Sequence, residues 1–287
     1  MMNPDIRDLH NQYLQKRFGR REFLKKLSIL GGGTLAANML LPLVERNHAA
    51  AAIVSADDAR LYTDNVTYSG ASGEVRAYLA RPKGSSKLPG VIVIHENKGL
   101  NPHIEDVNRR IALEGFLAIA PDALSPLGGT PKDPNEGRAL IKKLDKQSTR
   151  DNYVAAVKYL KTHSMSTGKV GVVGFCWGGA MANQLAVNVP DLEAAVPYYG
   201  RQPASEDVSK IKASLLLHYG GLDERINKGI PPFEAALKKE AVEYLLYIYP
   251  GAKHAFNNDT NPERYNKEAA QLAWKRTVAF LKEKLSE

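Results

Sequence analysis

Cysteine is almost absent: 287 residues hold one, Cys176. A lone thiol closes no intramolecular disulfide, so sulfur chemistry in this chain means a nucleophile or nothing. Long apolar runs are missing as well. The best candidate, Leu27 to Val44, is rich in Gly and Ala and broken by Pro42, too weak and too interrupted for a confident membrane span. Internal repeats are lacking. Positive charge is in excess, at +8, but residues 1–48 supply half of it, with eight Lys/Arg against four Asp/Glu. The body is therefore only mildly basic, and it shows no basic stripe or base-reading motif, which argues against a nucleic-acid partner.

What is present is the composition of an ordinary soluble globular protein, 44% apolar and 24% charged, with length for one large α/β domain behind a leader. Residues 1–52 read as that leader. Gly19-Arg20-Arg21-Glu22-Phe23-Leu24-Lys25-Lys26 precedes the weak apolar stretch, and Ala49 to Ala52 offer small residues for cleavage. The order basic, apolar, small is that of a secretory signal, and the paired arginines resemble a twin-arginine signal, which exports folded proteins through its own machinery. The expected location is periplasmic or exported; the alternative is an amphipathic helix on a cytoplasmic protein.

Residues 53–287 read as the folded body. Leu61 to Tyr68 and Glu74 to Arg81 alternate polar and apolar residues around a Gly/Ser turn, the pattern of a β-hairpin. Continuous apolar strands follow at Gly90–Ile94, Phe116–Ala120, Val170–Val173, Ala194–Tyr199, Ser214–His218 and Tyr244–Tyr249. Amphipathic helices alternate with them, at 104–114, 138–163, after Cys176, 232–240 and 262–284. A Pro/Gly-rich loop, 124–137, is long enough to cover a site. The expected fold is α/β: a doubly wound, mostly parallel sheet with an antiparallel N-terminal hairpin. Such sheets bind ligands at the carboxyl ends of their strands. Glu96, Cys176, Asp223 and His254 each fall just past a strand.

The sharpest local signal is Gly174-Phe175-Cys176-Trp177-Gly178. It is a nucleophile elbow, G-x-C-x-G, with cysteine where serine is commoner. The glycines let a strained turn pass between strand and helix, and the helix N-terminus favours thiolate at the sulfur. The bland reading is a buried cysteine beside a Gly-rich turn. Likewise Asp223 reads alone as a turn aspartate, His254 as a surface loop histidine and Glu96 as a solvated acid. The chain order nucleophile, acid, histidine lifts the first three above those readings, because it is the α/β-hydrolase order. Cys176 attacks a carbonyl carbon, His254 moves the proton, and Asp223 fixes the imidazole tautomer. The Trp177 N–H is the expected first oxyanion donor and the Asn97 N–H the second. His95, His103, His163 and His218 lie in no motif and read as structural or exposed.

Residues 60–285 resemble the dienelactone hydrolase (carboxymethylenebutenolidase) family of the α/β-hydrolase superfamily. The matching stretches are Val91 to Glu96, Ala120-Pro121-Asp122, Gly171 to Gly179, Tyr198-Tyr199-Gly200, Gly220 to Asp223 and Gly251 to Phe256. The resemblance implies hydrolysis of a small ester or enol-lactone through an acyl-cysteine, with no cofactor or metal. It implies that Glu96 contacts the resting thiol and helps form thiolate when substrate binds. Two departures concern the substrate. Asn258 stands where the family enzyme acting on dienelactone carries an arginine for the substrate carboxylate, and Arg138 is the candidate for a second arginine, in the helix after the Pro-Asp strand end, behind a loop of different length. Lys98 and Arg201, both just past strand ends, are candidates to replace that charge. Alternatives within the fold are a thioesterase or other acyl hydrolase on the same triad, and a non-catalytic binding protein.

Overall fold

The structure, a computed structural model, describes residues 52–84 and 86–286 together with Glu22 and Lys26. The chain divides into two units, Met1–Ile53 and Val54–Glu287. Arg20 and Arg21, on which the export signal turns, lie outside the described residues. Among the described residues no helix is long and apolar enough to cross a membrane.

The second unit is built on one eight-stranded sheet. Strands β1 (Leu61–Gly70) and β2 (Gly73–Pro82) form the expected hairpin. They are followed by β3 (Leu88–Ile94), helix α1 (Pro102–Leu113) and β4 (Leu117–Pro121). The region expected as one helix is two, α2 (Pro134–Ile141) and α3 (Lys146–Thr162). Each has its own aspartate cap: Asp133 accepts from the Asn135 N–H at 2.9 Å and Asp145 from the Ser148 N–H at 2.8 Å, satisfying donors that a helix start leaves unpaired. Next come β5 (Ser166–Phe175), α4 (Trp177–Asn188), β6 (Ala194–Tyr198) and β7 (Ser214–Gly220). The one-turn α5 (Glu224–Asn227), α6 (Ile230–Lys239), β8 (Tyr244–Tyr249) and α7 (Lys267–Ser286) complete the unit.

The sheet order is β1-β2-β4-β3-β5-β6-β7-β8. β2 pairs antiparallel with both β1 and β4; the remaining pairs are parallel. The fold is that of the α/β-hydrolases. Alternation along the central strands explains the two-sided burial. Ile92, Ile94, Val170 and Val172 face one core with Tyr153, Leu160 and Leu185 of α3 and α4. Val91, Val93, Val173 and Phe175 face the other with Ile104, Val107 and Ile111 of α1 and Leu281 of α7. Each fully buried Val, Ile or Leu contributes about 1.5–3 kcal/mol. A strand covered on both faces must therefore be apolar throughout, which is why β3 and β5 read as continuous runs.

Parallel register is what makes a rim. Ile94 of β3 pairs with Gly174 of β5, Phe175 with Tyr198 of β6, and Gly220 of β7 with Tyr249 of β8. The carboxyl ends of five adjacent strands thus each stop within about two residues of the next on one edge. The segments carrying Glu96, Cys176, Tyr199, Asp223 and His254 all leave the sheet on that edge.

Candidate active site

Cys176 sits between β5 and α4 with φ 56° and ψ −109°, a conformation non-glycine residues rarely adopt. The turn survives because its neighbours leave no alternative. A Cβ on Gly174 would lie 2.0 Å from the Gly178 carbonyl oxygen, and one on Gly178 would lie 2.4 Å from that of Ile94. The backbones of β5, α4 and the end of β3 therefore touch directly. Trp177 is the first residue of α4, so its N–H has no partner in the helical ladder. The same contact brings the loop carrying Asn97, three residues past β3, alongside the elbow.

The acid and the histidine come from two loops clamped together. The Gly221 N–H donates to the Tyr249 carbonyl at 2.8 Å and the Leu222 N–H to that of Ala252 at 2.9 Å. A Cβ on Gly220 would approach the Ala252 and Lys253 carbonyl oxygens to 2.7 and 2.8 Å. That packing sets His254 Nδ1 2.5 Å from Asp223 Oδ2, with His254 Nε2 3.0 Å from Cys176 Sγ. Asp223 is buried, while Cys176 and His254 are half-buried. Burial pushes the His254 pKa down, but its bonds to Asp223 and to Cys176 outweigh this and bring it up to about 9. An imidazolium in this position donates from Nδ1 to the carboxylate and from Nε2 to the sulfur. The three residues form one hydrogen-bonded line.

Glu96 is placed differently from the expectation. It is 5% exposed, and its Oε2 accepts from Asn258 Nδ2 at 2.9 Å. The sulfur's partner is His254 Nε2, not Glu96. Among the described residues none of the candidate cations bonds to Cys176, Asp223 or His254. Arg138 is exposed on α2 and donates to Asn135 Oδ1 at 2.6 Å, three residues back on its own helix. Arg201 is exposed, and its backbone carbonyl accepts from Asn183 Nδ2 at 3.0 Å. Lys98 is half-buried with its carbonyl packed against Gly137. Other cations line the outer side of the triad. Arg225, Lys253 and Arg264, with Leu222, Asp223 and His254, surround an open depression of about 450 Å³.

Two site residues escape a residue-by-residue reading of the sequence. Tyr199 is fully buried at φ 39°, and its ring meets that of His254 edge-on at 5.1 Å. Burial, with the charges of Glu96 and Cys176 nearby, raises its hydroxyl pKa well above the usual range. Its only sequence signal was membership of the Tyr198-Tyr199-Gly200 match. His95 is fully buried. Its Nε2 accepts from the Ala123 N–H at 3.2 Å and its Nδ1 donates to the Glu96 carbonyl at 2.6 Å. Those partners assign the neutral Nδ1–H tautomer, in keeping with a pKa lowered chiefly by burial. The ring stacks on Trp177 at 5.3 Å, bracing the first residue of α4. His218 is also structural. It is buried between the Tyr249 hydroxyl at 2.9 Å and the Thr277 hydroxyl at 3.1 Å, and burial lowers its pKa to about 3. Among the described residues no cluster of His, Cys, Asp and Glu could hold a metal ion.

Residues 75–285 match the model of the dienelactone hydrolase family. The chain belongs to that family. Among its relatives is the "Putative carboxymethylenebutenolidase" of Saccharolobus solfataricus, 36% identical over 253 residues that cover 76% of this chain and 97% of the relative. Another is the "Probable 2-oxo-3-(5-oxofuran-2-ylidene)propanoate lactonase" of a Bradyrhizobium species, 34% identical across 74% of this chain and 91% of its own length. Of solved structures, the dienelactone hydrolase-like promiscuous phosphotriesterase P91 from metagenomic libraries superposes with a TM-score of 0.71, covering 78% of this chain and 99% of its own. At 24% identity that likeness speaks to the fold alone. A dienelactone hydrolase-type ester hydrolase is what the family and the fold make of this chain.

Proposed function

We propose that the protein hydrolyses a small carboxylic ester or lactone through an acyl-cysteine formed on Cys176. The observation that carries this reading is the line Asp223 Oδ2, His254 Nδ1, His254 Nε2, Cys176 Sγ, with steps of 2.5 and 3.0 Å at the head of α4.

The sulfur, as thiolate, adds to the carbonyl carbon, and the carbonyl π electrons move onto its oxygen. The Trp177 and Asn97 N–H groups receive that oxyanion. When the tetrahedral species collapses, the C–O bond breaks and the His254 Nε2 proton passes to the departing oxygen. From an ester the alcohol leaves; from a lactone it stays tethered to the acyl group. His254, now neutral, takes a proton from water as the water attacks the thioester carbonyl. The second collapse expels the Cys176 thiolate and frees the acid, and the proton remains on His254. Asp223 holds the imidazole in one tautomer throughout and offsets its positive charge. Nothing in this cycle requires a cofactor.

The test is turnover of aryl esters, enol-lactones and thioesters by the wild-type protein and by Cys176→Ala. The variant loses the nucleophile and should fall by roughly 10⁴-fold or more in kcat while circular dichroism stays unchanged. A Cys176→Ala protein that keeps near wild-type rate on any of these substrates would falsify the assignment.

A further inference from the structure

We propose that Glu96 and Asn258 form a specificity element that receives an uncharged, hydrogen-bond-donating acyl group, such as a hydroxyacyl ester, and turns away acyl groups bearing a carboxylate. The inference rests on the hydrolase reading above and adds the substrate class.

The argument begins with the Asn258 amide, which is 3% exposed. Its Oδ1 accepts from the Thr260 N–H at 3.1 Å and from the Thr260 hydroxyl at 2.7 Å. Those two donors fix which end of the amide is oxygen. The Nδ2 end is thereby committed to Glu96 Oε2, at 2.9 Å. The position where resemblance leads one to expect a carboxylate-gripping arginine thus holds a neutral amide that points at a carboxylate of the protein itself. The polarity of the subsite is reversed.

Glu96 completes the reversal. With Oε2 held by Asn258, its Oε1 is buried and has no hydrogen-bond partner among the described residues. A buried carboxylate oxygen without a donor is costly, and the natural remedy is a donor on the ligand. Glu96 shares its surroundings with the chemistry. It follows β3 by two residues on the rim where β5 delivers Cys176. The Tyr199 hydroxyl responds to the charges of both Glu96 and Cys176, and its ring lies against His254. An acyl chain attached to Cys176 therefore lies within the reach of Glu96. A hydroxyl on that chain meets an empty acceptor, whereas a carboxylate meets like charge.

The cations Arg225, Lys253 and Arg264 do not offset this. They are exposed, and the depression they line includes neither Glu96, Asn258 nor Cys176. Charges there are screened by solvent over about 8–10 Å.

The test compares three phenyl esters of similar length, assayed by release of phenol: phenyl butanoate, phenyl 3-hydroxybutanoate and the monophenyl ester of glutaric acid. For the wild-type enzyme, kcat/KM should be highest for the hydroxy ester, by roughly 10-fold or more over butanoate, since a bond to a charged acceptor is realised only there. The glutarate half-ester should be poorest. Asn258→Arg should raise the half-ester by at least about 10-fold relative to butanoate, because the guanidinium both neutralises Glu96 and grips the new carboxylate. Glu96→Gln covers the case in which the arginine does not fit: removing the charge should shrink the half-ester penalty even where all three rates drop. A purely structural pair would lower the three substrates together and leave their ratios alone. A wild-type enzyme that prefers the half-ester, or ratios unmoved in both variants, overturns the proposal. A wild-type enzyme inactive on all three esters, with thioesters and lactones also untouched, overturns the hydrolase reading instead.

Discussion

Replacing Asp223 with asparagine separates the charge of the acid from its shape. The carboxylate is 6% exposed and 2.5 Å from His254 Nδ1. Burial alone pushes the His254 pKa down; the bonds to Asp223 and Cys176 bring it up to about 9. Against the ordinary histidine value of about 6.5, that rise corresponds to roughly 3 kcal/mol favouring the imidazolium, the net of the bonds to Asp223 and Cys176 after the opposing cost of burial. In Asp223→Asn the burial penalty faces only the sulfur, and the midpoint should fall below about 7. Nitrogen NMR of labelled His254 from pH 5 to 10 reads this directly. The sign for stability follows from a folded pKa above the unfolded one. The contribution of the pair is complete below about pH 6.5 and is lost as pH rises through about 9. The stability advantage of wild type over the variant, measured by urea unfolding, should therefore shrink across that window. Activity near neutral pH should drop by on the order of 10³- to 10⁴-fold. A wild-type His254 titrating below 7, or an asparagine variant titrating above 8, would refute the reasoning.

Further outcomes follow from the same geometry. Gly174→Ala puts a methyl group 2.0 Å from the Gly178 carbonyl; since both sides are backbone, α4 must move, costing about 1–3 kcal/mol or more and displacing the sulfur from His254, so kcat should fall by roughly 100-fold. Gly73→Ala adds a carbon with no atom within 4 Å but at φ 105°, so it should cost stability through backbone strain while leaving kcat unchanged, and an equal loss of kcat in the two variants would sink the packing argument. Residues 1–52 are proposed as an export leader: fused to a folded reporter, residues 1–55 should deliver it to the periplasm of a host with a twin-arginine system, and Arg20→Lys with Arg21→Lys should stop it. A reporter retained in the cytoplasm behind the unaltered leader would refute that.

Much of this protein was legible in one dimension. The apolar runs of β3 and β5 announce strands buried on both faces, because no polar side chain is tolerated on either side of a doubly covered sheet. The elbow announces itself because only glycine fits where two backbones touch. Chain order then ties Cys176, Asp223 and His254 to one rim. What sequence could not decide was partner choice among side chains on that rim. Glu96 lies just past a strand end, as the resemblance requires, yet it bonds to Asn258, and the sulfur bonds to His254. Arg138, Lys98 and Arg201 qualify by position along the chain, but helix phase and loop path leave two of them exposed and Lys98 only half-buried. Tyr199 enters the site through one backbone dihedral, φ 39°, at a residue whose neighbour Tyr198 points into the core. Strand, helix and turn are local consequences of spacing and steric bulk. Which of several polar groups meet depends on directions set by residues far apart in sequence, and only the folded chain supplies them.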